Sequence, residues 1–150
     1  MEGYLNLPEK TEEVFLRKWY KTGDVGKLDR DGFLYITDRL SRFSKIGGEM
    51  VPHVKVESKL TELSRENGDE DVEFVVTGVS DSERGEKLVV LHTDTEIETN
   101  GLLEELRKTD VPSLWLPKSR EFYEIEQVPK LGTGKLDLQE VKRIARQKAT

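Results

Sequence analysis

The sequence contains no cysteine, only two histidines and no apolar run long enough to cross a membrane. The absence of cysteine excludes disulfide bonds, a thiol nucleophile and a cysteine-based zinc site. His53 and His92 match no metal-ligand spacing, and the apolar run around His92 favours a structural role for it. A net charge of −6 without a long basic run argues against a nucleic-acid partner. No stretch has the pattern of a signal peptide, and we expect a cytoplasmic protein.

The first forty residues contain local elements but no core pattern of their own. A proline near the start of segment 8–15 predicts a short helix there. The apolar runs 25–28 and 33–37 flank the turn signal Asp29-Arg30-Asp31-Gly32, which predicts a β-hairpin. Because a lone hairpin is only marginally stable in water, we expect these residues to belong to a larger sheet that the chain does not fully contain.

Residues 42–150 have enough periodic apolar positions for a modest core. Their pattern predicts the order helix–strand–strand–helix–strand–helix, with strands at 72–79, 87–92 and 120–125. The three helices are indicated by apolar stripes: Val56, Leu60 and Leu63; Leu102, Leu103 and Leu106; Leu138, Val141, Ile144 and Ala145. Thr99 or Asn100 is the expected cap of the second helix, and Asp137 opens a capping box at the third. The predicted fold class is α+β.

A loop with two glycines, Gly132-Thr133-Gly134-Lys135, directly precedes the last helix. Glycine lets a backbone approach a ligand closely, and a lysine on such a loop is a mobile cation suited to phosphate. The spacing departs from a Walker-type phosphate loop, because Lys130 and Leu136 stand where that motif needs glycine and Ser or Thr. Taken alone, the segment is read more simply as a solvated turn.

Further segments give this loop a context. In chain order they are Gly3-Tyr4-Leu5-Asn6 with Pro8-Glu9-Lys10-Thr11, Tyr20-Lys21-Thr22-Gly23-Asp24, Leu34-Tyr35-Ile36-Thr37-Asp38-Arg39, Lys45-Ile46-Gly47-Gly48-Glu49 and Thr133-Gly134-Lys135. In this order they resemble the adenylate-forming superfamily of acyl-CoA synthetases, peptide-synthetase adenylation domains and luciferases. Segments 42–51 and 128–135 more narrowly resemble the synthetase half of the bacterial bifunctional 2-acylglycerophosphoethanolamine acyltransferase/acyl-ACP synthetase family.

The resemblance implies that the chain is part of a longer enzyme. Residues 1–40 would end its large ATP-binding domain, and residues 41–150 would form its mobile C-terminal domain, a short, mostly antiparallel sheet packed by helices. The phosphate loop, the magnesium-binding glutamate and the acyl pocket would lie in the preceding part. No metal ligand is expected within this chain.

The resemblance also implies a two-step reaction. A fatty acid and ATP, with Mg²⁺, form acyl-adenylate and pyrophosphate, and a phosphopantetheine thiol of acyl carrier protein or CoA then displaces AMP. This would be a fatty acyl-ACP synthetase linked to lysophospholipid acylation, which meets the inner membrane face only through the longer protein. The alternatives are an acyl-CoA ligase of the same superfamily and, for the isolated and inactive chain, a non-catalytic module that binds carrier protein or nucleotide.

Three residues match the superfamily's nucleotide and catalytic positions. Asp24 would accept hydrogen bonds from both ribose hydroxyls of ATP, which suits the two oxygens of a carboxylate; the alternative is a turn aspartate. Arg39 would contact ribose or phosphate, and the alternative is a surface ion pair with Asp38 or Asp29. Lys135 would bridge the acyl carboxylate and the α-phosphate in the adenylation transition state; the alternative is an exposed lysine before a helix.

Four residues match positions that serve the change between the two steps. Ser41 falls at the hinge, where most relatives carry aspartate or lysine; a small residue can absorb backbone rotation there, and Asp38 or Leu40 are the other candidate pivots. Gly47 and Gly48 would let a pantetheine arm pass along the backbone, and Lys45 would then face the active site. The alternative for this segment is a plain turn.

Overall fold

The computed structural model describes residues 2–69, 71–93 and 97–149. The chain divides into two compact units, an N-terminal unit, Met1–Ser41, and a C-terminal unit, Arg42–Thr150. Each is described by itself below.

The N-terminal unit consists of one short helix and two small antiparallel sheets. Helix α1 (Pro8–Val14) has its proline in the first turn, as predicted. Strands β1 (Phe15–Leu16) and β2 (Trp19–Tyr20) pair with each other. Strands β3 (Asp24–Leu28) and β4 (Leu34–Arg39) form the predicted hairpin. Its turn is fixed by the Asp29 carboxylate, which accepts hydrogen bonds from two backbone N–H groups.

The N-terminal unit has no buried side chain among its described residues. Large apolar side chains of the hairpin are exposed instead: Leu28 by 67%, Phe33 by 66%, Leu34 by 63% and Ile36 by 63%. Such contiguous apolar exposure marks a surface that is normally covered. The hairpin therefore lacks a hydrophobic core within this unit.

The C-terminal unit is built on a five-stranded sheet. Its strands are β5 (Phe43–Ile46), β6 (Glu49–Pro52), β7 (Phe74–Asp81), β8 (Gly85–His92) and β9 (Phe122–Glu124). The order is β6-β5-β8-β7, and β9 pairs with β8 in parallel while every other pairing is antiparallel. The sheet is thus mostly antiparallel, and the predicted α+β class is confirmed.

Helices cover both faces of this sheet. Helices α2 (His53–Glu66) and α3 (Thr99–Arg107) pack on the face that includes Val76 and Val90. Helix α4 (Leu138–Lys148) packs on the face that includes Val75 and Val89. Successive residues of a strand point to opposite faces, so the continuous apolar runs of β7 and β8 supply both cores. The three helices predicted for this region are confirmed.

Two local predictions for this unit were wrong. The predicted order omitted the hairpin β5–β6, because this segment lacks an alternating apolar pattern. The cap of α3 is Glu98 rather than Thr99 or Asn100. Its carboxylate accepts hydrogen bonds from the backbone N–H groups of Asn100 and Gly101, so it satisfies two donors of the first turn.

Candidate functional site

Asp24 and Arg39 are brought together by the β3–β4 hairpin. They are cross-strand partners at its open end, and Asp24 Oδ1 lies 2.8 Å from Arg39 Nε. The expected ion-pair alternatives, Asp38 and Asp29, are therefore not the observed partners. Within the described part of the chain, neither the Asp24 carboxylate nor the Arg39 guanidinium forms a hydrogen bond or ion pair with a third residue. The pair offers an acceptor and two donors side by side, which suits the hydroxyl and phosphate oxygens of a nucleotide.

Lys135 lies at the base of a small hairpin loop. Lys130 and Leu136 form an antiparallel bridge, and Leu131 N donates to Lys135 O at 2.7 Å. The turn is closed by Gly134 N, which donates to Leu131 O at 2.8 Å, and Gly134 has a φ of 79°, which favours glycine. Lys135 is exposed, and its ammonium has no partner among the described residues. It is therefore available to bind an anion.

The base of this loop is fastened on two sides. Lys130 Nζ lies 2.7 Å from Glu73 Oε1 on the body of the unit. Asp137 Oδ1 accepts hydrogen bonds from Gln139 N and Glu140 N at 3.1 Å each, as predicted for the cap of α4. The backbone at Lys135 is therefore fixed by these neighbouring contacts, while its four-carbon side chain is free to move.

Gly47 and Gly48 form the two-residue turn of the β5–β6 hairpin. Their φ values are 56° and 93°, and Ile46 pairs with Glu49 across them. Positive φ at both positions is what a type I′ hairpin turn requires. The hairpin turn by itself therefore favours glycine at both positions. Their part in a pantetheine path stays a prediction.

Lys45 and Ser41 are both exposed. Lys45 lies on β5, and its backbone N–H donates to Glu86 Oε2 at 2.6 Å. Ser41 lies in a short 3₁₀ turn, Leu40–Arg42, and is the last residue of the N-terminal unit. The roles expected for both residues stay predictions.

A buried polar cluster at the start of the C-terminal unit was not predicted from the sequence. Arg42 pairs with Glu57, whose Oε1 accepts a hydrogen bond from Val76 N at 2.6 Å. Ser44 Oγ and His53 Nε2 are 2.8 Å apart, and both residues are 1% exposed. Burial, and then the positive charges of Arg42 and Lys142, lower the pKa of His53 to about 3.

Because Ser44 and His53 are closed off from solvent, this serine–histidine pair is structural rather than nucleophilic. Local sequence patterns do not reveal it, since Arg42 and Glu57 are 15 residues apart and meet only through the fold. Across the described residues, no group of three or more His, Asp or Glu side chains is placed to hold a metal ion. None of the described helices is long and apolar enough to span a membrane.

Comparison with known proteins gives a consistent set of relatives. No family profile matches the chain. The 2-succinylbenzoate–CoA ligase of Listeria innocua is 32% identical over 140 residues, which is 93% of this chain and 28% of that protein. The feruloyl-CoA synthase of an Amycolatopsis species is 37% identical over 95% of this chain. The long-chain-fatty-acid–CoA ligase of Bacillus subtilis is 35% identical over 91% of this chain.

Solved structures give the same picture. The o-succinylbenzoate CoA synthetase of Bacillus subtilis, in complex with its acyl-adenylate intermediate, has a TM-score of 0.71 at 28% identity, over 95% of this chain and 28% of that one. ATP-bound MatB from Rhodopseudomonas palustris has a TM-score of 0.75 over 99% of this chain; its 23% identity supports the fold alone. These relatives and neighbours are AMP-binding members of the acyl-CoA synthetase superfamily, and the chain matches their C-terminal region. The chain spans less than a third of their length.

Proposed function

We propose that this chain is the C-terminal portion of an ATP-dependent acid–thiol ligase that forms an acyl-adenylate and then a thioester. The observation that carries the proposal is the similarity to CoA ligases over more than nine-tenths of this chain but under a third of theirs. Residues 1–40 would complete the large ATP-binding domain, which accounts for the exposed apolar hairpin, and residues 41–150 would be the mobile C-terminal domain.

In the first half-reaction a carboxylate oxygen of the acid attacks the α-phosphorus of ATP, and pyrophosphate leaves. Negative charge gathers on the α-phosphate and the acyl carboxylate as the new bond forms. The free ammonium of Lys135, on its fastened loop, is suited to neutralise this charge. The open oxygen of Asp24 would accept a ribose hydroxyl, and the free edge of Arg39 would donate to ribose or phosphate.

Magnesium, when bound, would neutralise the triphosphate, but the described residues offer no cluster of acidic ligands for it. By the resemblance to adenylate-forming enzymes, its ligands would lie in the part of the enzyme that precedes this chain. The residues of this chain that fit the nucleotide are Asp24, Arg39 and Lys135, by the chemistry of their donors and acceptors.

In the second half-reaction a thiol sulfur attacks the acyl carbonyl carbon, and AMP leaves. The Gly47–Gly48 hairpin would serve this step, with Lys45 beside it. Lys135 and this hairpin lie in one unit but serve different steps, so the unit would rotate between them about Ser41.

The identities of the acid substrate and of the thiol acceptor are more specific proposals. Every relative named above is a CoA ligase or CoA synthase, which favours CoA as the thiol, and one of them acts on a long-chain fatty acid. The second candidate is a fatty acyl-ACP synthetase that supplies lysophospholipid acylation. It is favoured by the resemblance of segments 42–51 and 128–135. Thioester formation from one purified acyl-adenylate, with CoA or holo-carrier protein supplied separately, separates the two.

The test of the proposal is Lys135→Ala in the full-length enzyme, with Lys108→Ala as the matched control. Lys108 is another exposed lysine, at the C-terminus of α3. We expect Lys135→Ala to slow fatty-acid-dependent ATP–pyrophosphate exchange by about 100-fold or more, since a lost transition-state charge contact costs about that much. Thioester formation from supplied acyl-adenylate should remain. Exchange at the wild-type rate would show that Lys135 is not the adenylation lysine.

The alternative from another class is a docking module without catalysis. The 150-residue chain by itself should release no pyrophosphate from ATP, because the phosphate loop is expected outside it. Pyrophosphate release by the purified chain would contradict the assignment to a C-terminal portion. If the full-length protein bound holo-carrier protein but activated no acid, the docking role would replace the ligase.

A further inference from the structure

The β5–β6 hairpin is only lightly joined to the rest of its sheet. Strand β5 pairs with β8 at a single position, Ile46 with Gly85. One residue before Ile46 the ladder has already stopped, and Lys45 N donates instead to a side chain, Glu86 Oε2, at 2.6 Å. A carboxylate thus takes the place of the backbone acceptor that a longer ladder would supply. Hydrogen bonds to a charged acceptor are stronger than neutral ones.

The single pairing of β5 with β8 is made through the turn of the hairpin. Gly47 N, in the turn itself, donates to Arg84 O at 3.0 Å. Leu114 lies beside the turn, because a Cβ added at Gly47 would meet its methyl groups at 3.5 and 3.7 Å. A Cβ added at Gly48, by contrast, would meet no described atom within 4 Å. The tip of the hairpin is therefore held from one side, by residues 84–86 and Leu114, and is open on the other.

Gly78 makes room for the Glu86 carboxylate. A Cβ at Gly78 would lie 3.2 Å from Glu86 Oε1 and 1.8 Å from Ser44 Oγ. Both side chains therefore lie close over bare backbone of β7, which a larger residue would obstruct. The path from Glu86 to Lys45 is built into the packing of the unit and is not a chance surface contact.

We propose that Glu86 is a positioning residue for the thioester-forming step. By accepting the N–H of Lys45, it holds the Gly47–Gly48 hairpin at the place where the thiol acceptor passes. This inference rests on the proposed function, since it assigns a supporting residue to the hairpin of the second half-reaction. Glu86 touches no reacting atom in this role. It acts through the backbone of β5.

The test uses the full-length enzyme and three variants. Glu86→Ala removes the acceptor, and Glu86→Gln keeps a carbonyl oxygen at nearly the same place. Glu83→Ala is the control, because it removes a carboxylate from the same β7–β8 turn that contacts no group in the described part of the chain. The two half-reactions are measured separately, by pyrophosphate exchange and by thioester formation from purified acyl-adenylate.

We expect Glu86→Ala to lower kcat/KM for the thiol acceptor about tenfold and to leave pyrophosphate exchange within about twofold of wild type. Glu86→Gln should retain most of the activity, and Glu83→Ala should match wild type. An equal loss in both half-reactions, an unchanged Glu86→Ala, or a Glu86→Gln as slow as Glu86→Ala would each overturn the assignment.

A second readout does not depend on activity. Hydrogen exchange, followed by mass spectrometry in the same full-length enzyme, reports the amides of residues 44–48. Their exchange should be faster in Glu86→Ala than in Glu86→Gln or Glu83→Ala, because the Lys45 amide loses its acceptor. Unchanged exchange would refute the anchoring contact. If the wild-type enzyme activates no acid, the proposed function fails, and this measurement still decides whether Glu86 holds the hairpin.

Discussion

Lowering the pH should destabilise the C-terminal unit through His53. This imidazole is 1% exposed, and its Nε2 lies 2.8 Å from Ser44 Oγ. The Ser44 hydroxyl lies 1.8 Å from the position that a Cβ of Gly78 would take, so it packs over the bare backbone of β7. Burial and the nearby charges of Arg42 and Lys142 keep the pKa of His53 at about 3 in the folded state. An unfolded chain would have the ordinary value of 6.5.

The sign and size of the effect follow from that difference. Because the folded-state pKa is lowered, the unfolded chain binds more protons between pH 6.5 and pH 3. Stability from this residue is therefore complete above about pH 6.5 and is lost as the pH falls toward 3. The free energy of unfolding should fall by up to about 1.4 kcal/mol per pH unit, which amounts to about 2 kcal/mol between pH 6.5 and pH 5.

The assay is urea denaturation of the purified chain at several pH values, followed by circular dichroism. His53→Gln is the comparison, because its amide can reach the place of Nε2 but does not titrate in this range. The variant should lose part of the stability at pH 8 and show a flatter pH dependence between 6.5 and 5. Parallel pH profiles for the two proteins would refute the reasoning, since they would mean that His53 takes up no extra proton on unfolding.

Two further predictions concern the residues that follow strand β4. Arg42→Met should lower the free energy of unfolding by about 3 kcal/mol, because it removes the cation that pairs with the largely buried Glu57 carboxylate. Adding Glu57→Gln to the same chain should recover part of this loss. Thermal denaturation measures the stability of both variants, with the exposed Arg107→Met as control, and a loss for Arg42→Met no larger than that of the control would contradict the prediction. Ser41→Pro should leave the melting temperature nearly unchanged but fix φ at residue 41. The full-length enzyme should then keep one half-reaction and lose the other. If both half-reactions survive, the pivot lies elsewhere, as at Asp38 or Leu40.

Most of the secondary structure could be predicted because its signals are local. The stripe Val56, Leu60, Leu63 and the Asp137 cap are read within a few residues, and both helices formed as expected. The β5–β6 hairpin could not be predicted in this way. Its stability comes from a glycine turn, one ladder position with β8 and the bond to Glu86, 41 residues away from Lys45. Such contacts exist only after folding.

In the candidate site, too, individual residues could be predicted from the sequence, but their arrangement in space could not. The resemblance identified Asp24 and Arg39 separately, and only the hairpin register shows that they are directly opposed. The exposed Lys135 and the positive φ values at Gly47 and Gly48 agree with a functional loop and a turn, yet both would be equally acceptable in a protein without catalysis. Roles that depend on a bound nucleotide or on domain rotation therefore need the half-reaction measurements described above.

The carboxylate of Glu57 also has a consequence for self-association. Strand β7 is at the end of the sheet order, so its outer edge pairs with no described strand, and unpaired edges can recruit strands of other molecules. Glu57 Oε1 occupies the N–H of Val76 in the middle of this strand. A side chain from helix α2 thereby occupies a backbone donor on this edge. The residue that pairs with Arg42 thus also removes one backbone donor that an added strand would need.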